Sequence, residues 1–272
     1  MPFDNFSEIN KSSYSKDSVV RYWTHYHDDL FYGERLIIER LRDFLATASL
    51  LDVGVGGGRT TGRLLPLTAS YTGLDYSAKL IEQCRLKFPD VEFICADACR
   101  LASALPGRRF RCIYFSFNGI DCLNESQRQQ FQQQAFSMLE PGGRLLFSSH
   151  NYAAAKYLGK RGTFARIARE SLRSLRQGRL RDSARHLSTS LAYARHCNKE
   201  YQGRDIQYIV DPAQGNREIY AWIKPDRQVE ELRSAGFRVL AVHDWSGEEH
   251  PLADLSRIRT HSAYYLAEKP AR

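Results

Sequence analysis

No run of apolar residues in the 272-residue chain approaches the ~18 that a membrane-spanning helix needs. The opening residues, Met1-Pro2-Phe3-Asp4-Asn5, lack a basic segment followed by an apolar one, so no secretory leader is read here and a cytoplasmic location is expected. The six cysteines, Cys84, Cys95, Cys99, Cys112, Cys122 and Cys197, include no C-x-x-C pair. That spacing argues against a zinc site or a disulfide framework, and their core-like surroundings predict buried thiols. No internal repeat is present, which excludes solenoids and propellers. What the chain does have is 43% hydrophobic and 12% aromatic residues, enough for one sizeable core, and a formal net charge of +8. The charge is local: twelve Lys or Arg lie between Lys156 and Lys199 against only Glu170 and Asp182, so the rest of the chain is close to neutral.

Along the chain, residues 16 to 46 carry helix-compatible apolar spacing interrupted by Gly33, which predicts two helices before the first strand. Together residues 1–46 are expected to form an N-terminal helical lid. Short apolar runs then alternate with longer amphipathic ones: strand 49–54, helix 59–67, strand 70–75, helix 77–87, strand 91–95, strand 110–116, helix 125–139 and strand 143–149. This is the rhythm of a parallel α/β core over residues 47–150, with Pro141-Gly142-Gly143 as the turn before its fifth strand. Residues 151–224 break the rhythm as a basic helical insertion followed by two short strands in 204–223. Residues 225–272 resume it with a helix at 226–235 and strands at 237–244 and 261–268.

The most informative segment is Leu50-Leu51-Asp52-Val53-Gly54-Val55-Gly56-Gly57-Gly58-Arg59, an apolar strand that runs into a glycine turn and a helix start. Glycines there let backbone approach a ligand, and the N–H groups beyond them favour a negative group. A dinucleotide fingerprint would require glycine where Arg59 stands. Three further segments follow at strand ends. Gly73-Leu74-Asp75-Tyr76-Ser77 offers a carboxylate for two ribose hydroxyls and an aromatic ring for a base. Ile94-Cys95-Ala96-Asp97-Ala98 places a second acid where it can accept from an exocyclic amine. Leu139-Glu140-Pro141-Gly142-Gly143 precedes the fifth strand.

These four segments, in this order, resemble the class I S-adenosylmethionine-dependent methyltransferases, over roughly residues 40–150 and again from about 225. The resemblance implies an α/β, Rossmann-like, mostly parallel seven-stranded sheet with a reversed last hairpin and helices on both faces. It also implies S-adenosyl-L-methionine as cofactor, lying across the carboxyl ends of the first strands. Position by position, Asp52, Gly54 and Gly56 are similar to the methionine-side loop, and Asp75 and Tyr76 to the ribose and adenine contacts. Asp97 with Ala98 corresponds to the adenine edge, and Ser116 with Phe117 to the fourth-strand exit beside the sulfonium. The segment Phe115-Ser116-Phe117-Asn118-Gly119-Ile120-Asp121 resembles small-molecule members of the family.

Methyl transfer from a sulfonium is an in-line displacement that needs alignment and exclusion of water, and no metal is expected. A hydroxyl acceptor gains from a general base, and His150, directly after the fifth strand, is the candidate, with Asp121 a weaker one. His25 and His27 sit with Tyr22, Trp23 and Tyr26 in a cluster that reads either as packing or as part of the lid. The fourth-strand exit lacks the Asn/Asp-Pro-Pro-aromatic tetrad of nucleic-acid amine methyltransferases, the cysteines lack a proline-cysteine context, and no acidic magnesium ligand is placed as in catechol-type members. In the insertion, Arg166, Arg169, Arg173 and Arg176 share one helical face while Phe164, Ala168, Leu172 and Leu175 share the other. The preferred reading is a cap over the pocket of a small-molecule acceptor, to which an anionic group would be suited. An RNA backbone and a membrane surface are the disfavoured partners. The leading expectation is methylation of a hydroxyl or amine of a secondary-metabolite or glycan intermediate. The alternatives are an RNA methyltransferase using the insertion and a non-enzymatic S-adenosylmethionine-binding protein.

Overall fold

The computed structural model describes residues 6–25, 29–155, 200–211 and 218–271, with isolated positions between 156 and 199. Arg166 of the basic face, Phe164, Ala168 and Leu175 of its apolar counterpart, Tyr26, His27 and the turn at 212–217 lie outside the described residues, whereas Arg169, Arg173 and Arg176 are exposed. Leu172, expected on the docking face, is 57% exposed.

The chain begins with α1 (Phe6–Tyr14), α2 (Asp17–His25) and α3 (Tyr32–Arg40), followed by the single turn Arg42–Leu45. The first of these was not anticipated. Its Ser7, Asn10, Lys11 and Tyr14 repeat at helical spacing but are not apolar, so the hydrophobic period is silent there. Strands β1 (Ser49–Val53), β2 (Ser70–Asp75), β3 (Glu92–Cys95), β4 (Phe110–Phe115) and β5 (Leu139–His150) are mutually parallel. After the small sheet of β6 (Tyr201–Gln202), β7 (Ile206–Val210) and β8 (Ile219–Ile223), the core resumes with β9 (Arg238–Asp244), the two-residue β10 (Glu249–His250) and β11 (Ser262–Glu268). The main sheet has the order β10-β9-β11-β5-β4-β1-β2-β3, with β11 antiparallel to both neighbours. It is the expected seven-stranded sheet with a reversed last hairpin, extended at its edge by β10.

Strand periodicity sorts the core into two layers. Leu51, Phe115, Phe147 and Tyr265 pack on one face of the sheet with the helix Glu125–Met138, whereas Leu50, Tyr114, Leu146 and Tyr264 pack on the other with α3 and the helix Ala78–Lys87. β1 is buried over Leu50–Val53, as strands covered by helices on both faces must be. Two details depart from expectation. The helix after the glycine turn is one turn, Thr61–Leu64, which tightens into a 3₁₀ turn at Leu65–Leu67 because Pro66 cannot donate to an α-helical ladder. Pro141-Gly142-Gly143 lies within β5 as an irregularity: pairing jumps from Phe110↔Leu139 to Cys112↔Arg144, with Gly142 at φ 76.

The small sheet has three strands, one more than expected, because β6 has only two residues and leaves no periodic signal. Its last strand, β8, docks at the carboxyl end of β5. Asn151 bridges to Ile223, and α1 is tied to β8 by Asn10, whose amide donates to Ile219 O at 2.7 Å and accepts from Ile219 N at 2.9 Å. α1, α2 and β8 thus wall the sheet edge at which ligands bind in open α/β folds, beside the β1/β4 switch in strand order. No described helix is long and apolar enough to cross a membrane.

Candidate active site

The glycine turn leaves β1 at Gly54, whose φ of +65° is open to glycine at little cost; a β-carbon there would also stand 2.5 Å from the Phe115 ring. At Gly57 a β-carbon would lie 2.4 Å from the Trp23 carbonyl oxygen, so glycine is what lets α2 seat against the turn. The turn is fastened by Asp75 at the end of β2: its Oδ2 accepts from Gly56 N at 3.0 Å and its Oδ1 from Ser77 N at 2.8 Å. Burial pushes the Asp75 carboxyl up to about 6, against the lowering effect of these N–H donors.

Gly54, Gly56, Asp75, Tyr76, Asp97, Ala98, Ser116 and Phe117 all line one cleft. Asp97 accepts from Cys99 N at 2.8 Å through Oδ1, and Lys11 reaches its Oδ2 at 2.9 Å from α1. Burial opposes ionisation of Asp97, but these donors hold it below the ordinary carboxylate range. Ser7, Asn10, Lys11 and Tyr14 complete the cleft from α1 and Trp23 from α2, and of these the sequence had singled out only Trp23. At the exit of β4, Phe117 (φ 49) and Asn118 (φ 58) are consecutive left-handed residues other than glycine, a strained pairing that surrounding contacts must impose. Asn118 is held by N–H donation to Ser148 Oγ (2.8 Å) and Nδ2 donation to Ser262 Oγ (2.9 Å), and Phe117 stacks on Phe31 at 4.9 Å.

Asp52 does not line the cleft. It shares the Leu50 face of β1, and its fully buried Oδ2 accepts from Thr60 Oγ1 at 2.5 Å and Tyr71 Oη at 2.7 Å. Burial raises its carboxyl to about 6 despite those bonds. Its place is beneath the glycine turn, which it braces through Thr60, and not among the side chains that would touch a ligand there. His150 also lies off this cleft, at the end of β5. Its backbone N donates to Asp121 Oδ2 at 2.6 Å, its Nδ1 stands 2.8 Å from the same oxygen, and its ring stacks on Trp222 at 4.4 Å. Asp121 is fully buried and also accepts from Ser149 Oγ at 2.7 Å, so the weaker candidate of the two is the one that orients the stronger.

The turn between β1 and the following helix, the acid at the end of β2 and the reversed last hairpin together define a Rossmann-like α/β architecture with its cleft at the carboxyl ends of the strands. Residues 50–143 match the family model described as a methyltransferase domain. Comparison with curated protein sequences gives no match. Among solved structures, the CcbJ methyltransferase of Streptomyces caelestis is 15% identical, with 93% of this chain and 96% of that one covered at a TM-score of 0.60. The glycopeptide N-methyltransferase MtfA, complexed with S-adenosyl-L-methionine, is 20% identical over 90% of this chain and 96% of its own at a TM-score of 0.55. The 1,6-didemethyltoxoflavin-N1-methyltransferase of Burkholderia thailandensis is 14% identical over 97% and 88% at 0.56. Residues 50–143 thus resemble a methyltransferase domain, and the chain shares its fold with solved S-adenosylmethionine-dependent methyltransferases, one of them holding S-adenosyl-L-methionine.

Proposed function

We propose that the protein transfers the methyl group of S-adenosylmethionine to a hydroxyl or amine of a small metabolite, of the kind met among secondary-metabolite or glycan intermediates. The observation that carries this reading is the single cleft that gathers the glycine turn, Asp75, Asp97 and the β4 exit under α1 and α2. Support for a small acceptor comes from the neighbours, whose names include a glycopeptide and 1,6-didemethyltoxoflavin as substrates. The cofactor supplies an activated methyl group on a sulfonium, so no further activation is asked of the protein.

The chain's own residues divide the remaining work. Asp75 accepts the ribose hydroxyls, and Asp97 accepts the adenine amine once Lys11 yields or shares its Oδ2. Tyr76 and Ala98 flank the base, Gly54 and Gly56 let backbone lie against the methionine part, and Ser116 and Phe117 border the reacting end. α1 and α2 exclude water. His150, held by Asp121 and stacked on Trp222, takes the proton from a hydroxyl acceptor at Nε2.

Two outcomes follow. His150→Ala is expected to lower kcat about a hundredfold on a hydroxyl acceptor while leaving cofactor affinity unchanged, measured by transfer of labelled methyl to metabolites of a cell extract. An unchanged rate removes His150 from the proton transfer. Because the free Asp75 carboxyl titrates near 6 and the ribose hydroxyls need the carboxylate as acceptor, protonation opposes binding. Cofactor affinity is therefore expected to be about tenfold weaker at pH 5 than at pH 7.5 by titration calorimetry, in proportion to the ionised fraction. Affinity that rises on acidification contradicts this assignment.

A further inference from the structure

α1 turns a polar face inward: Ser7, Asn10, Lys11 and Tyr14 recur at helical spacing, and all four line the cofactor cleft. Three of them are spent on holding the helix. Ser7 Oγ accepts from Gln127 Nε2 at 3.1 Å, Asn10 makes its two bonds to Ile219, and the Tyr14 and Tyr220 hydroxyls share a bond of 2.6 Å. Ser13 adds a donation to Glu218 Oε1 at 2.5 Å. These bonds fix α1 against β8 and the helix Glu125–Met138 without any help from Lys11. The Lys11 ammonium goes elsewhere, donating to Asp97 Oδ2 at 2.9 Å and to Glu8 Oε1 at 3.2 Å.

An ammonium carries three N–H donors and a carboxylate about four lone-pair positions. Two of the Lys11 donors go to Asp97 and Glu8, and the third has no acceptor among the described residues. Asp97 accepts from Cys99 N at 2.8 Å, from the Cys99 thiol and from Lys11, which leaves it one position open. Both side chains line the cleft, and at 30% and 27% exposure neither is sealed from a ligand there. A pair this exposed adds little to folding stability. What it does offer is a free acceptor and a free donor side by side. That is the complement of adenine, whose exocyclic amine donates next to a ring nitrogen that accepts.

We propose that Lys11 stays paired with Asp97 when the cofactor binds and that the two residues form one adenine clamp: Asp97 accepts from the exocyclic amine while Lys11 donates its third N–H to the ring nitrogen beside that amine, N1 or N7. Lys11 is thus a base-specificity residue supplied by α1. This rests on the methyltransferase reading and deepens it at the cofactor side of the cleft. Sharing Asp97 keeps a charged donor on the carboxylate as the base enters, whereas releasing Lys11 would exchange an ion pair for a single neutral amine. A base with a carbonyl in place of the amine, such as hypoxanthine, would set its oxygen against the Asp97 carboxylate and be refused.

Three ligands titrated calorimetrically into the full chain decide this: S-adenosylhomocysteine and its 1-deaza and 7-deaza analogues, each of which keeps the amine and lacks one ring nitrogen. At least one analogue is expected to bind the wild-type protein about tenfold more weakly than S-adenosylhomocysteine, the worth of one hydrogen bond from a charged donor. Lys11→Met is expected to bind S-adenosylhomocysteine about tenfold more weakly than the wild type and to erase that analogue's deficit. Lys11→Leu takes its place where the methionine variant does not fold. Equal affinity of the wild type for all three ligands overturns the clamp, and so does a deficit that loss of the ammonium leaves untouched in both analogues. Tighter binding of S-adenosylhomocysteine by the variant overturns it too, since Lys11 would then be a competitor that the base must displace from Asp97. Failure of the wild type to bind S-adenosylhomocysteine at all would instead strike the methyltransferase reading, so the two failures are distinguishable.

Discussion

Asp75→Ala is expected to weaken S-adenosylmethionine binding at least a hundredfold, read by calorimetry, with the circular dichroism spectrum unchanged. The carboxylate is buried to 6% exposure and already accepts from Gly56 N and Ser77 N, so each oxygen keeps lone-pair capacity that only a ligand above the turn can fill. A hydrogen bond to a charged acceptor contributes about 1.5–3 kcal/mol, and two ribose hydroxyls together set the lower bound at about 3 kcal/mol, or a hundredfold. The substitution also releases Gly56 N–H, so the glycine turn loses the tether that keeps its backbone in the left-handed conformation. Asp75→Asn separates the two effects: the amide oxygen can replace one acceptor but its NH₂ group meets N–H donors, so binding is again expected to fall. Undiminished affinity in the alanine variant would remove Asp75 from ribose recognition.

The parts of this site that could be read from sequence are those encoded locally. A strand that ends in glycines, or in an acid before a helix, carries its conformation and its chemistry in the same few residues, which is why Gly54, Gly56, Asp75, Asp97 and the β4 exit were legible. Asp52 belongs to the same segment but was misplaced, because strand alternation and not proximity to the turn decides where its side chain goes: beside Leu50, onto Thr60 and Tyr71. The contribution of α1 was hidden because its inward face is polar. Asn10 and Lys11 are recognisable as site residues only through partners such as Ile219 and Asp97, far along the chain.

The same non-local logic governs the largest stability effect expected. Glu34 is 1% exposed and Arg59 8%, and the carboxylate accepts from Arg59 Nη1 at 2.7 Å, Arg59 Nη2 at 2.9 Å, Phe31 N at 2.9 Å and the Tyr114 hydroxyl. Pairing with Glu34 raises the arginine's already high pKa although burial works against it, so Arg59 stays charged in the core. Glu34→Ala removes the only carboxylate bonded to that guanidinium among the described residues, and breaking a buried pair on one side costs about 3–5 kcal/mol. For a chain of this size that corresponds to a fall in Tm of roughly 10 °C or more, measured by calorimetric unfolding. Glu34→Leu combined with Arg59→Met is expected to recover most of the loss, since neither member is then left charged and unpaired. A Glu34→Ala protein within about 1 kcal/mol of the parent would mean that water reaches Arg59 and that the pair does not lock the glycine turn to α3. The position of Arg59 shows why that lock matters to function: it follows the glycine turn directly, donates to the Asp29 carbonyl at 3.0 Å, and underlies Phe31 and Phe117.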